Sequence, residues 1–151
     1  MKLSSRGRYG LRAMVDLAIA YGGGPVSAAA LANAQGISLP YFEQLIASLR
    51  KANLVLSVRG VQGGYTLSRP PGEITANEVL RVLEGNLSLV DCVESDVQSA
   101  YCEQACTCSA RPLWLKLQKK IDSVLDETSL LDLAEDNIEQ KRRLSDEERL
   151  S

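Results

Sequence analysis

The chain has 151 residues, of which 45% are apolar, and its 17 basic and 19 acidic side chains give a net charge of −2. This length suits one domain with an appendage, or two very small domains. The sequence contains no histidine, which excludes histidine-activated nucleophiles and imidazole-based zinc hydrolase sites. We therefore expect no hydrolytic enzyme of the usual kinds, and the features described below favour no other enzyme. It also lacks the apolar runs of a membrane span or a signal peptide, which predicts a cytoplasmic protein without a membrane partner.

The charge is distributed unevenly along the chain. Residues 1–75 hold eight basic and three acidic side chains, a net charge of +5, whereas residues 76–151 hold nine basic and sixteen acidic ones, a net charge of −7. The basic half would attract a polyanion such as DNA even though the whole chain is acidic. An imbalance of this size also occurs in proteins that bind no nucleic acid.

Three helices are predicted in the N-terminal part. Apolar residues at helical spacing predict the first over residues 6–21, ended by a glycine-rich stretch. Ser27 is the predicted N-cap of a short alanine-rich helix, and Ser38 is the predicted N-cap of a third helix that ends near Asn53. The third helix would bury Phe42, Leu45, Ile46 and Leu49 and turn outward Tyr41, Glu43, Gln44, Ala47 and Ser48.

A hairpin and a fourth helix follow. Segments 54–58 and 65–67 flank a glycine-rich stretch and predict two short strands, with Arg59 and Gly60 at the tip. Residues 75–78 form a capping box that begins the next helix. This order of elements is that of a winged helix-turn-helix, so the sequence predicts a mainly α DNA-binding domain with a two-stranded β wing over residues 1–84.

The outward residues of the third helix and the hairpin tip have base-reading chemistry. Gln44 can form two hydrogen bonds with adenine, and Glu43 can accept one from the cytosine amino group. Arg59 beside Gly60 has the short reach that suits an A·T-rich minor groove. Singly, such residues are common on protein surfaces; their ordered occurrence on the basic half of the chain favours binding to double-stranded DNA.

The C-terminal half begins with an irregular segment, residues 85–111, and then becomes helical. An apolar stripe predicts a long helix that starts near Pro112, and we expect it to pack against a second copy in a two-fold homodimer. The alternative is packing on the chain's own first domain. A short following helix completes residues 112–136, and residues 137–151 are predicted to be a flexible tail. The stripe consists of Leu113, Leu117, Ile121, Val124 and Leu125.

All four cysteines, Cys92, Cys102, Cys106 and Cys108, lie within the irregular segment. Thiols on one loop can surround a metal centre, because a loop can turn each sulfur inward. Their spacing matches no zinc ribbon, and an iron–sulfur cluster tolerates uneven spacing better than a single ion does. Inert reduced thiols and reversible disulfide sensing remain alternatives.

Three stretches of the sequence resemble the IscR-type family of winged-helix transcriptional regulators. They are Met1–Gly10, Gln35–Leu45 and Ser57–Tyr65. The similarity is close through residue 90 and continues into the helix that carries Leu113 and Trp114. It implies a homodimeric repressor that binds pseudo-palindromic promoters, with the third helix in the major groove and the wing in the minor groove. The residues implied to contact DNA are Ser38, Tyr41, Glu43, Gln44, Ser57, Arg59 and Gly60.

The resemblance also implies an iron–sulfur cluster, 2Fe–2S rather than 4Fe–4S, and control of iron–sulfur biogenesis genes. Cys92, Cys102 and Cys108 are the implied ligands. In this branch a histidine three residues after the last cysteine completes the ligand set, but that position is Arg111 here, and a guanidinium is no ordinary ligand. Cys106, a thiol that the branch does not need, is therefore the candidate fourth ligand; a carboxylate or a small molecule is the alternative.

Other mechanisms of control remain open. Nitric-oxide-sensing relatives borrow an acid from the partner's first helix, but the residue at that place is Arg8. Regulators of cysteine metabolism in the same family are the precedent for a cluster-free protein controlled by thiol oxidation or by a protein partner. A small redox carrier is disfavoured by the base-reading face and the wing. Pro40 stands where the IscR branch usually has a hydroxyl residue, so one DNA contact is expected to be lost.

Overall fold

The computed structural model describes residues 1–93, 102–104 and 107–151. Within these ranges the chain forms α-helices, single turns of 3-10 helix at Pro71–Glu73 and Asp91–Val93, and one antiparallel sheet of two strands. The helices and strands are α1 (Ser5–Ile19), α2 (Ala28–Gln35), α3 (Leu39–Lys51), β1 (Val55–Val58), β2 (Gly64–Leu67), α4 (Ala76–Glu84), α5 (Arg111–Glu127) and α6 (Leu130–Leu150).

The helix starts follow local capping chemistry, as predicted. The Ser27 hydroxyl accepts a hydrogen bond from the Ala30 N–H at 3.1 Å, and the Ser38 hydroxyl accepts one from the Tyr41 N–H at 3.3 Å. Thr75 and Glu78 form the expected reciprocal capping box at the start of α4. These bonds satisfy backbone donors that the first turn of a helix leaves free, so each cap fixes where its helix begins.

The wing is attached to the body of the domain at its base. Strand β1 pairs with β2 in the register Val55 opposite Leu67 through Val58 opposite Gly64. Tyr65 also exchanges two backbone hydrogen bonds with Val26, in the segment that joins α1 to α2. A side chain at position 64 would lie 2.1 Å from the Val26 carbonyl oxygen, so only glycine allows this close approach.

One apolar core joins the helices to the base of the wing. α1 packs against α4 and α6, and α2 packs against α3. The predicted buried face of α3 is confirmed, because each of its four residues is at most 1% exposed. The largest fully buried side chains are Phe42, Met14, Leu17, Leu31, Leu45, Ile46, Leu49, Ile74, Leu130, Val55 and Val79.

The C-terminal helix is longer than the sequence analysis predicts. A short helix and then a flexible tail over residues 137–151 were expected, whereas α6 is continuous from Leu130 to Leu150. A capping box of Ser129 and Asp132 begins it, and hydrogen bonds from Ser129 lower the pKa of the Asp132 carboxyl. Beyond Ala134, its last buried residue, α6 consists mainly of good helix formers, which need no covered apolar face to continue.

The joint between α5 and α6 is fixed on the start of α4. The Ala76 N–H donates to the Thr128 carbonyl at 2.8 Å, and the Leu130 N–H donates to the Ile74 carbonyl at 2.9 Å. The Asn77 side chain donates to the Asp126 carboxylate, which adds a side-chain link between α4 and α5. The end of α5 and the beginning of α6 are therefore held on the start of α4 by backbone and side-chain bonds.

Helix α5 leaves much of its predicted stripe uncovered. Leu113 is 52% exposed, Leu117 is 40% exposed and Val124 is 61% exposed, so the chain's own first domain does not bury them. Leu115, beside the stripe, is 41% exposed. Among the residues that the structure describes, no helix combines the length and the apolar character needed to cross a membrane.

Candidate nucleic-acid interface and cysteine segment

Helix α3 presents a polar surface above its buried face. Glu43 and Gln44 are exposed, and Ser38 is exposed at the N-cap. Pro40 lies in the first helical turn, where a missing backbone N–H costs little. The predicted base-reading residues of α3 therefore share a helix whose opposite side is anchored in the core.

Tyr41 differs from the outward orientation expected of it. The residue is half-buried, and its ring meets the Tyr9 ring edge to face, with the centroids 6.4 Å apart and the planes at 89°. The Arg12 guanidinium lies 6.0 Å from the centroid of the Tyr9 ring. Alternation of polar and apolar residues on α3 could not reveal this contact, because it depends on how α1 packs across α3. Tyr41 therefore links α1 to α3 as well as occupying a predicted DNA-contacting position.

Several basic side chains around α3 are available to bind phosphate. Arg50 and Lys51 occupy its last turn, and Arg6 of α1 donates a hydrogen bond to the Ser48 hydroxyl of α3. Within the described ranges these three cations, and Arg59 of the wing, form no salt bridge. Arg6 belongs to the basic half of the sequence, but its proximity to α3 arises from tertiary packing and has no local signal.

The hairpin tip is exposed and joined to the core by its strands. Ser57, Arg59 and Gly60 are all exposed, and Gly60 has a φ of 120°, a conformation that favours glycine. Val61 at the tip is fully exposed, a feature that the sequence analysis missed. The ring of Tyr65 in β2 packs edge to face on Phe42 of α3, with centroids 6.2 Å apart. The wing and α3 are thus held in one arrangement.

Three of the four cysteines lie in the described part of the chain. Cys92, Cys102 and Cys108 are half-buried free thiols. Cys106, the candidate fourth ligand, lies outside the described residues. Thiols are the ligands that iron–sulfur clusters use, so the donor chemistry fits such a group. Among the residues described, however, no three Cys, Asp or Glu side chains converge into a ready metal site.

Arg111 connects the two ends of the segment that contains all four cysteines, Cys92–Cys108, which we call the cysteine segment. It is the first residue of α5, and its Nε donates to the Cys92 carbonyl at 3.4 Å, while its own N–H donates to the Cys108 carbonyl at 3.4 Å. The position where a histidine ligand was considered therefore carries a backbone-binding side chain. Arginine at position 111 cannot serve as a metal ligand, but it holds the Cys92 and Cys108 backbone carbonyl groups. The sequence alone did not predict this structural role.

Gln118 fixes the chain just before the first cysteine. Its Oε1 accepts from the Leu89 N–H at 2.7 Å, and its Nε2 donates to the Leu87 carbonyl at 3.4 Å and to Asp122 Oδ1 at 3.1 Å. Gln118 is the buried polar residue of α5. Both flanks of the cysteine segment are consequently attached to α5, the helix whose apolar stripe is uncovered.

Comparison with known proteins identifies the relatives of this chain. Residues 3–136 match the family model of Rrf2, described as an iron-dependent transcriptional regulator. The chain belongs to the Rrf2 family. The predicted resemblance to IscR-type regulators is thereby confirmed, within a family that also includes CymR proteins.

Two Rrf2 regulators of known name are about equally similar in sequence. CymR of Bacillus subtilis is 42% identical over 134 residues, covering 89% of this chain and 90% of the relative. IscR of Aliivibrio salmonicida is 42% identical over 137 residues, covering 91% of this chain and 79% of the relative. Both are named HTH-type transcriptional regulators, in agreement with the expected non-enzymatic role.

Solved Rrf2 structures share the fold. The structure of the B. subtilis global cysteine regulator CymR aligns with a TM-score of 0.75 and 42% identity, covering 89% of this chain and 97% of that one. The IscR structure from T. potens aligns with a TM-score of 0.70 and 44% identity, covering 91% and 88%. The predicted winged-helix fold with a long C-terminal helix is confirmed.

Proposed function

We propose that this transcriptional regulator is a cytoplasmic homodimer that represses promoters under the control of an iron–sulfur cluster. The observation that carries the proposal is the attachment of both flanks of the cysteine segment to α5: Gln118 binds Leu89, and Arg111 binds Cys92 and Cys108. A change in the ligation of Cys92 or Cys108 would act directly on bonds that position α5. Iron–sulfur biogenesis genes are the proposed targets.

DNA binding is assigned to α3 and to the wing. Ser38, Tyr41, Glu43 and Gln44 are proposed for the major groove, and Ser57, Arg59 and Gly60 for the minor groove. The exposure of Glu43, Gln44 and Arg59 supports this assignment, as do the cations around α3, which form no salt bridge with any described residue. Two copies related by a two-fold axis would read the two halves of a pseudo-palindromic site.

The homodimer is proposed to form through α5. The apolar side chains that α5 leaves uncovered lie on the same helix that receives both flanks of the cysteine segment. Burying them against a second α5 would remove apolar surface from water, which is the main driving force for association of this kind. The dimer interface and the cysteine segment would then share one helix.

The proposed ligands of the cluster are Cys92, Cys102, Cys106 and Cys108. When bound, the cluster would supply reversible one-electron chemistry and sensitivity to iron supply. Four thiolates would give a lower reduction potential than a set with one histidine, since replacing thiolate by imidazole raises the potential. The residues of the chain hold the cluster and connect it to α5; 2Fe–2S is favoured over 4Fe–4S.

A second candidate is control by thiol oxidation without a cluster. The similarity to CymR of B. subtilis, described as a global cysteine regulator, favours it at 42% identity. The CymR of Staphylococcus aureus, whose oxidized form has been solved, aligns with a TM-score of 0.70 and 38% identity. Under this candidate, Cys92, Cys102 and Cys108 would respond to oxidants, and the targets would be genes of cysteine metabolism.

Iron and acid-labile sulfide per chain, measured on anaerobically purified protein, distinguish the two candidates. Equal contents near two indicate 2Fe–2S, and equal contents near four indicate 4Fe–4S. Cys106→Ala should lose both elements, whereas the neighbouring Thr107→Ala should retain them. Full retention by Cys106→Ala would remove it as a ligand. If the protein holds neither iron nor sulfide after reconstitution, control by a cluster is refuted and control by thiol oxidation remains. Comparing the DNA binding of reduced and oxidised protein then tests thiol oxidation.

The DNA assignment has its own test. Binding to duplexes with an A·T-rich segment beside the half-site should weaken in Arg59→Ala, because the wing loses the cation that would enter the minor groove. Gln62→Ala, on the same exposed turn, is the matched control and should bind normally. Equal binding by the two variants would show that the wing does not use Arg59.

A further inference from the structure

A cleft of about 550 Å³ lies between α1, α2 and α6, outside the proposed DNA interface and the cysteine segment. Its volume is in the range of small-molecule sites in proteins. Arg12 and Asp16 line it from α1, Gln35 from α2, and Asn137 and Lys141 from α6. The part of α6 predicted to be a flexible tail therefore forms one wall of the cleft.

Two residues that line this cleft each carry a buried oxygen atom that lacks a hydrogen-bond donor in the described structure. In the part of the chain that the structure describes, Gln35 Oε1 and Asn137 Oδ1 are buried without a hydrogen-bond partner. Gln35 is only 7% exposed, and its Nε2 donates to Asp16 Oδ2. That bond fixes the orientation of the amide, because the reversed orientation would place two acceptors against each other. Buried acceptors without partners are rare, and either a bound ligand or an ordered water that donates to these two oxygens would satisfy them.

The charged residues of the cleft are balanced. Arg12 and Lys141 supply two positive charges, and Asp16 and Asp136 supply two negative ones. Burial raises the pKa of Asp16, and Lys141, Arg12 and the Gln35 hydrogen bond oppose that rise only in part. A positively charged group of a ligand beside Asp16 would offset the energetic cost of burying its ionised carboxylate. A lining of this kind suits a molecule that carries both signs of charge.

We propose that the cleft binds a small zwitterionic α-amino acid. Its ammonium group, with three donors, would bond to the Asp16 carboxylate, Gln35 Oε1 and Asn137 Oδ1. Its carboxylate would lie between Arg12 and Lys141, the two cations of the lining. The site does not depend on the iron–sulfur cluster, because no cysteine lines it.

Such a ligand would connect α6 to the end of the helix that precedes α3. Gln35 is the last residue of α2, and Gly36 begins the turn into the proposed recognition helix. A molecule held between Gln35 and Asn137 would stabilise the arrangement of α2 and α6 that binds it best. The cleft is therefore placed to act as an effector site for DNA binding.

Thermal unfolding of the full chain in the presence of single L-amino acids tests the proposal. At a concentration 100 times the Kd, a bound amino acid should raise the midpoint by about 5 to 10 °C. Propionate and ethylamine, which carry only one of the two charged groups, should not reproduce the shift. Equal shifts with either compound would overturn the zwitterion, and the absence of a shift with every standard amino acid would overturn the site.

Two variants locate the response. Asn137→Leu removes one buried acceptor, so it should leave the ligand-free midpoint unchanged or higher while abolishing the shift. Lys141→Ala should weaken the shift, whereas Arg142→Ala, its exposed neighbour outside the cleft, should not. A wild-type response in both Asn137→Leu and Lys141→Ala would refute binding here. A higher ligand-free midpoint in Asn137→Leu without any amino-acid shift would indicate a cleft that holds water only.

Discussion

Replacing Gln118 by leucine should destabilise the protein and loosen the cysteine segment. The amide of Gln118 is the partner of the Leu89 N–H and of the Leu87 carbonyl. Leucine has a similar size but can neither donate nor accept, so both backbone groups lose this partner. Leu87 is 2% exposed, which limits the access of water to replace the bonds.

The expected loss follows from the two bonds. Leaving a buried backbone group without its partner costs about 1–3 kcal/mol. Leu89 is only half-buried, so its N–H should cost about 1 kcal/mol, and the two losses together predict a decrease of about 2–4 kcal/mol in the free energy of unfolding. Urea unfolding at one fixed protein concentration measures this decrease as a lower midpoint. Lys119→Leu is the matched control, because Lys119 is the exposed neighbour and surface changes usually stay within about 0.5 kcal/mol.

The same variant tests the connection to the cysteines. Leu87 and Leu89 lie five and three residues before Cys92. If the protein holds a cluster, Gln118→Leu should therefore also release iron to a chelator faster than Lys119→Leu does. If the unfolding free energies of the two variants agree within about 0.5 kcal/mol, Gln118 does not hold this segment, and the reasoning is refuted.

Three further changes are expected to have defined effects. Glu43→Ala should broaden the set of half-sites bound, because a carboxylate facing DNA repels phosphates and suits few bases; unchanged discrimination on a panel of half-site duplexes would contradict this. Asp16→Asn should raise the thermal midpoint at neutral pH. Burial raises the pKa of Asp16 in the folded state above its ordinary 3.8. Ionised Asp16 therefore destabilises the folded protein above that raised pKa, and this cost disappears below pH 3.8, where the carboxyl is protonated in both states. A midpoint difference between Asp16→Asn and the wild type that does not change with pH would refute this explanation. Gly64→Ala should cost about 1–3 kcal/mol, because its Cβ would meet the Val26 carbonyl, whereas Gln62→Ala on the wing should be neutral in urea unfolding.

The local elements of the fold could be predicted because their signals are local. Ser27, Ser38 and Thr75 cap their helices through bonds to residues three positions later, so the sequence alone contains both partners. The apolar spacing of α3 likewise predicts its buried face. The proposed DNA-binding surface, which depends on helix order and on exposed polar residues, is inferred from the same signals.

The features that escaped prediction depend on contacts between distant segments. The last sixteen residues of α6 include no buried residue, so the hydrophobic periodicity ends at Ala134. Their glutamates and arginines and the Glu139–Arg143 pair nevertheless favour a helix. The edge-to-face contact of Tyr9 with Tyr41 and the cleft at Gln35 require the packing of separate helices. The role of Arg111 at Cys92 had no local signal, because nineteen positions separate the two residues.

The bonds that hold the α5–α6 joint on the start of α4 have a consequence for the length of the operator. Ala76 and Leu130 fix the end of α5 relative to the domain that carries α3. In the proposed dimer, these bonds and the α5–α5 interface together set the distance between the two α3 helices. One additional base pair between half-sites would separate them by about 3.4 Å and rotate one about the DNA axis by about 35°. The protein would thus select operators by the number of base pairs between the half-sites, in addition to the base sequence of the half-sites.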